Sequence, residues 1–271
     1  MNSRSANNKL EVFALNNVPS IKEHDDIAKI ILENSKEDNL AIQKNDIVVI
    51  AQKIISKSEG RLIDLETIVA SEEAEKIAKQ TSKDARLVEL IIQESNEIIR
   101  IQDGIIIVEH RLGHVLANAG IDQSNIENGD GHVLLLPENP SKSADHIRRS
   151  IESSLDLEVG VIITDSMGRA WRHGTTGHAI GSSGVKTIID LRGKSKDLFG
   201  RELQTTVIGF ADQIASAAAL VTGESNEGKP VAIVRGIDMP SDSNQSILPN
   251  IVGVPLRKPC TPALPSLILV T

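Results

Sequence analysis

The chain reads as a mixed α/β protein, because short β-branched runs alternate with stretches of helical spacing along its 271 residues. Two runs, Ile47-Val48-Val49-Ile50 and Gly160-Val161-Ile162-Ile163-Thr164, are continuously apolar, as strands covered on both faces are. Ser143 to Leu155 and Ala211 to Val221 carry the spacing of helices. With 3 Phe, 1 Trp and no Tyr, the core must be built from Ile, Val, Leu and Ala. The length suits one large domain or two modest ones.

In chain order, Leu10 to Leu15 predicts a strand, followed by a polar loop at Val18-Pro19-Ser20-Ile21. Asp25 to Asn34 predicts a helix, with Ile27, Ile30 and Ile31 on one face and an acidic start. The strand Ile47 to Ile50 is expected to run into a basic loop, Gln52 to Arg61. From Ser71 to Arg100 the pattern is mostly helical, opened by Ser71 as an N-cap before Glu72 and Glu73. Gly104 to Val108 and His114 to Ala117 predict strands, and Ser143 to Leu155 a helix. Gly160 to Thr164 predicts a strand with Asp165 at its exit, followed by glycine-rich loops over residues 168–184. A helix from Ala211 to Val221 and a strand from Val231 to Val234 complete the series. Beyond Gly236, Pro240, Pro249, Pro255, Pro259, Pro262 and Pro265 favour an extended tail. No internal repeat at a fixed period is visible.

Composition narrows the function. A net charge of −8 argues against a nucleic-acid partner, since phosphate contacts need clustered Lys and Arg. The scarcity of aromatics excludes base-stacking platforms and membrane-interface belts. One cysteine, Cys260, allows no intrachain disulfide and no cysteine-based metal cluster, which suits a reducing compartment. The first ten residues lack an apolar signal core, and no apolar run approaches a membrane span. A soluble, cytoplasmic protein is expected.

Several segments carry candidate chemistry. Gly223-Glu224-Ser225-Asn226-Glu227-Gly228-Lys229-Pro230 imitates a phosphate-binding P-loop, but Pro230 replaces the Ser or Thr and supplies no N–H. A helix precedes it and a strand follows, the reverse of a P-loop. It reads as an ordinary connection or as a loop touching phosphate and metal in another geometry. Asp165, at the exit of an apolar strand, is placed to hold Mg²⁺, or to make an Asx-type turn or a helix N-cap. Asp122, in Asn118-Ala119-Gly120-Ile121-Asp122-Gln123-Ser124-Asn125, invites the same two readings. Lys53, Lys57 and Arg61 suit an anionic ligand or a solvated loop. His173 and His178 are spaced poorly for a zinc pair.

The ordered set goes further. The segments 48–61, 118–125 and 163–172, then Gly177-His178-Ala179-Ile180-Gly181, Asp197-Leu198-Phe199-Gly200-Arg201-Glu202-Leu203 and Ala211-Asp212-Gln213-Ile214-Ala215, resemble the coenzyme F-420:L-glutamate ligase family. The likeness spans roughly residues 10–236.

The resemblance implies a two-domain α/β chain in an intertwined homodimer. It places a ligase core of two interleaved subdomains over residues 1–236, with a proline-rich tail over 237–271. It implies a GTP-dependent ligase that adds L-glutamate to the deazaflavin coenzyme precursor, first as an amide and then through γ-glutamyl links, by way of an acyl phosphate. Two divalent cations, Mg²⁺ or Mn²⁺, are implied, with a monovalent K⁺ as a further candidate. One divalent cation falls on Asp122 and Asp165, the other on Ser166 and Glu224. Nucleotide contacts fall on Val18, Pro19, Ser20, Ile21, Gln52, Lys53, Lys57 and Asn125. They continue through Thr222, Gly223, Glu224, Ser225, Asn226, Glu227, Gly228 and Lys229. Two alternatives stay open: another metal-dependent amide ligase or phosphohydrolase on the same scaffold, and a non-catalytic nucleotide sensor.

Overall fold

The computed structural model describes residues 9–126, 131–169 and 172–237. The proline-rich segment from Asp238 onward, with Cys260, lies outside these residues, as does Trp171.

The chain opens with strand β1 (Glu11–Ala14). Helix α1 (Ile27–Glu37) begins where Asp26 accepts a 3.0 Å hydrogen bond from the Lys29 N–H, and it buries Ile27, Ala28 and Ile31. Strand β2 (Ile47–Ala51) is buried through Ile50. The basic segment after it is helix α2 (Gln52–Ser58), not the expected loop. Ile54 and Ile55 bury against the sheet and no Gly or Pro interrupts the turns until Gly60, whose φ is +68°.

Strand β3 (Leu62–Asp64) leads to α3 (Glu72–Thr81), where the Ala74 N–H donates to Ser71 Oγ at 3.2 Å. Ser82, at φ 55°, breaks the helix before α4 (Ala85–Gln93). The helical expectation fails beyond that point: β4 (Ser95–Gln102) pairs antiparallel with β5 (Ile105–His110). Ile98, Ile99 and Ile101 are β-branched, and the neighbouring strand supplies the pairing that overrides local spacing. Strands β6 (Val115–Ala117) and β7 (His132–Leu134) follow. Helix α5 (Pro140–Leu155) starts a turn earlier than predicted, with Pro140 in the first turn and Asn139 capping the Lys142 N–H.

Strand β8 (Gly160–Arg169) does not end before Asp165; it continues into an antiparallel ladder with β9 (Arg172–Ser183). The predicted glycine-rich loops are thus largely strand. Their glycines serve close packing: a Cβ on Gly177 would come within 2.6 Å of the Ala215 carbonyl oxygen, and one on Gly181 within 2.5 Å of Pro140 Cβ. The short pair β10 (Ile188–Asp190) and β11 (Val207–Gly209) precedes α6 (Phe210–Thr222), and β12 (Val231–Arg235) is the last described strand.

The main sheet has the order β1-β12-β2-β8-β9, with only β2 and β8 parallel. Both faces are covered. Val48, Ile50, Val161, Ile163, Val231 and Ile233 pack against α1, α2 and α5; Ile47, Val49, Ile162, Ala232 and Val234 pack against α6. A second apolar core, with α3 and α4 on the β4-β5-β6 sheet, lies in the stretch connecting β2 to β8.

A buried ionic cluster stands where these units meet. Glu94 receives Arg61 at 2.8 Å and Arg111 at 2.9 Å, with His110 Nε2 at 3.3 Å. His110 Nδ1 accepts the Leu112 N–H, which leaves the ring proton on Nε2, beside Glu94. Burial alone would raise the Glu94 pKa; His110, Arg61 and Arg111 overcome it and bring the group down to about 2.

Candidate functional site

Strands β2 and β8 run side by side and finish their parallel pairing at Ala51 and Thr164. A cavity of about 510 Å³ opens there, in the crevice outside the strand ends where α/β sheets place ligands. All the positions implied for nucleotide and metal line it: the 18–21 segment, Gln52, Lys53 and Lys57 of α2, Asp122 and Asn125, Asp165 and Ser166 of β8, and the loop 222–229 after α6. Residues spread over most of the chain therefore converge on one crevice.

The walls are held by local bonds. Lys53 Nζ lies 2.7 Å from Asp122 Oδ2 and donates to Ser124 Oγ at 2.9 Å. Lys57 Nζ donates to the Asn125 carbonyl at 3.0 Å, and Asn125 Nδ2 donates to the Ser225 carbonyl at 3.0 Å. These bonds tie α2, the Asp122 segment and the glycine-bearing loop into one rim. In that loop, Gly223 and Gly228 adopt φ of +73° and +66°, and the Ser225 N–H donates to Glu227 Oε2 at 2.8 Å. Helix α6 precedes the loop and β12 follows it, which is not the order of a P-loop.

The two aspartates differ. Asp122 makes the predicted turn, its Oδ1 accepting from the Ser124 N–H at 2.7 Å, and it also lines the cavity. Burial would raise its pKa, but Lys53 and Ser124 hold it below the usual carboxylate range. Asp165 is neither a turn former nor a helix cap. Its Oδ1 accepts the adjacent Ser166 N–H at 2.9 Å. Burial pushes Asp165 up to about 7; the Ser166 N–H opposes the rise, and the charges of Asp122 and Glu224 add to it.

Asp122, Asp165, Glu224 and the Ser166 hydroxyl are hard oxygen donors suited to Mg²⁺ or Mn²⁺. Among the described residues, no three His, Cys, Asp or Glu side chains form a ready-made ligand cage. Asp122, Asp165 and Glu224 line one cavity, and carboxylates crowded in a crevice are relieved by positive charge.

Arg61 departs from expectation. It turns away from the crevice to Glu94 and the Leu136 carbonyl, leaving Lys53 and Lys57 as the basic groups of α2 at the cavity. His178 lies in β9 with Nδ1 2.9 Å from the Thr176 carbonyl, while His173 is exposed at the other end of the ladder. Ser124 and Gly177 also line the cavity and are not among the contacts that the resemblance implies. Asp-x-Ser is a recognisable turn pattern and could have revealed Ser124. Gly177 is legible only once α6 is seen against β9.

Residues 16–236 match the family described as F420-0:Gamma-glutamyl ligase. The chain is 48% identical over 199 residues to the coenzyme F420:L-glutamate ligase of Methanocaldococcus jannaschii, covering 73% of this chain and 78% of that protein. It is 43% identical over 217 residues to the protein of that name from Methanopyrus kandleri, covering 80% and 83%. To the Methanococcus maripaludis protein of strain C7, identity is 44% over 234 residues, covering 86% and 90%. With the family match covering strands β2 to β12, the inserted core and the cavity rim, this chain belongs to the F420-0:gamma-glutamyl ligase family.

Proposed function

We propose that the chain is a GTP-dependent ligase that joins L-glutamate to the coenzyme F420 precursor, first as an amide and then through γ-glutamyl links. The observation carrying this reading is the convergence, in a chain of this family, of Asp122, Asp165, Glu224, Lys53 and Lys57 on one cavity.

A carboxylate and an amine do not condense in neutral water, so the carboxylate must first be activated. Transfer of the GTP γ-phosphoryl group to the precursor carboxylate releases GDP and forms an acyl phosphate. The glutamate amine then attacks the acyl carbon, the C–O bond to phosphate breaks, and phosphate leaves as the amide forms. Lys53 and Lys57 bring positive charge to the triphosphate, and the 222–229 loop offers backbone N–H groups to it. Asp122, Asp165, Ser166 and Glu224 would hold divalent cations, which supply charge neutralisation for phosphoryl transfer. Asp165 must shed its proton to serve, so cation binding and deprotonation are linked. Closure of the rim would exclude water from the acyl phosphate.

The same reading includes a homodimer working in the cytoplasm. Among the described residues no helix is long and apolar enough to cross a membrane.

The test is mass spectrometry of precursor incubated with protein, Mn²⁺ or Mg²⁺, glutamate, and GTP or ATP. Glutamate-dependent product with GDP release is expected. Nucleotide hydrolysis indifferent to glutamate points instead to a phosphohydrolase, tight GTP binding without turnover to a sensor, and equal kcat/KM for ATP removes the GTP preference. Light scattering at micromolar concentration decides between dimer and monomer.

A further inference from the structure

The β8–β9 ladder continues past the cavity and ends in a feature that the proposed chemistry does not yet use. Arg169 and Arg172 stand directly opposite each other across the two strands. Opposed residues of an antiparallel pair project to the same face, and like charges so placed repel. Other arginines of this acidic chain sit against carboxylates, as Arg61, Arg148 and Arg235 do. Neither Arg169 nor Arg172 has an acidic partner among the described residues. Among the described residues the Arg169 guanidinium makes one polar contact, a long one of 3.4 Å from Nη2 to the His173 carbonyl. Its Nε is shielded from water and meets no acceptor among the described residues. A buried donor left unmade is costly, and two facing guanidiniums add to that cost.

The register places this pair relative to the crevice. Asp165, Met167 and Arg169 alternate along one face of β8, which sets Arg169 about 13 Å from Asp165 along the strand. Neither arginine lines the nucleotide crevice itself.

We propose that Arg169 and Arg172 form a carboxylate-binding subsite for a substrate other than the nucleotide. The inference rests on the ligase reading above, in which glutamate and the precursor both bring carboxylates to the reaction. A carboxylate between two planar guanidinium forks satisfies their donors and removes the repulsion.

The test uses the full chain and the variants Arg169→Gln, Arg172→Gln and Arg172→Lys. Steady-state KM is measured for glutamate, precursor and GTP, with a melting curve for each protein. Calorimetric titrations of L-glutamate and of precursor into protein carrying GDP and Mg²⁺ provide a readout independent of turnover. Each Gln variant is expected to raise KM and Kd for one carboxylate substrate by roughly tenfold or more, with KM for GTP unchanged. A glutamate effect identifies the amino acid as the occupant; a precursor effect identifies the acceptor. Arg172→Lys should recover only part of the affinity, because an ammonium cannot reproduce the fork. Wild-type turnover with carboxylate KM and Kd unchanged in both Gln variants overturns the subsite alone, as does an effect confined to GTP. If wild type makes no glutamate-dependent product, the ligase reading fails, and unaltered calorimetric binding in the variants overturns the subsite separately.

Discussion

Glu94 is a buried carboxylate and Asp165 a partly buried one that lines the cavity, and their surroundings treat them in opposite ways. Glu94 sits among Arg61, Arg111 and His110 and is held at about 2. Asp165 faces Asp122 and Glu224 and is pushed up to about 7, although Lys53 lies near enough to pull the other way. A carboxylate whose charge is met by the cations around it is a fastening between two units of the fold. A cluster that leaves charge unbalanced in a crevice is arranged for something that arrives from outside.

The contrast can be broken first at Glu94. Glu94→Gln strands two half-buried guanidiniums and should destabilise the protein by about 3 kcal/mol at pH 7. The sign with pH follows from its depressed pKa: the stabilisation is present above about 4.5 and is lost as pH falls toward about 2. Urea melts of wild type and variant should therefore converge as pH drops through that window; a constant gap would deny the cluster its ionic role.

Asp165→Asn tests the other side. It keeps volume and fold, and should cost about 3 kcal/mol in the barrier, a rate loss of roughly two orders of magnitude. The measurement is initial rate against Mn²⁺, with a melting curve alongside. Near-normal turnover with unchanged metal dependence would sink the assignment.

A smaller effect sharpens the comparison without a mutation. Asp165 has a raised pKa, so the folded protein binds more protons than the unfolded chain between pH of about 4 and 7. Metal-free protein should lose stability as pH rises through that range, opposite to the Glu94 contribution. Added Mn²⁺ should restore several degrees of melting temperature at neutral pH in wild type and much less in Asp165→Asn. The smallest change is Ser124→Ala, which removes the hydroxyl's bond to Asp122 and the one it accepts from Lys53, while the Lys53–Asp122 ion pair stays. A loss of about 1 kcal/mol in nucleotide affinity, under tenfold, is expected by calorimetry.

Legibility from sequence followed the same physical divide. β2 and the start of β8 announce themselves because apolar runs buried on both faces have few other uses. The cavity residues were recovered through ordered motifs, which carry spacing that local propensity does not. The rest was hidden where distant backbone decides. Helix α2 forms because Ile54 and Ile55 have a sheet to lie on, and β4 because β5 is beside it. Gly177 and Gly181 read as loop glycines until α6 and α5 are seen pressed against β9. Arg61, grouped by sequence with Lys53 and Lys57, points elsewhere because Glu94 pulls it across to another core.

The position of β12 governs how the molecule can be made. It lies between β1 and β2, antiparallel to both, so these two early strands do not pair with each other in the finished sheet. They wait for residues 231–235, and the loop that rims the crevice is delivered just ahead of that strand. Pairing across more than two hundred residues is slow, and the waiting edges of β1 and β2 are open to wrong partners meanwhile. In a refolding experiment followed by pulsed hydrogen exchange, the amides of β1 and β12 should gain protection together, in the same step that completes the crevice beside β2 and β8.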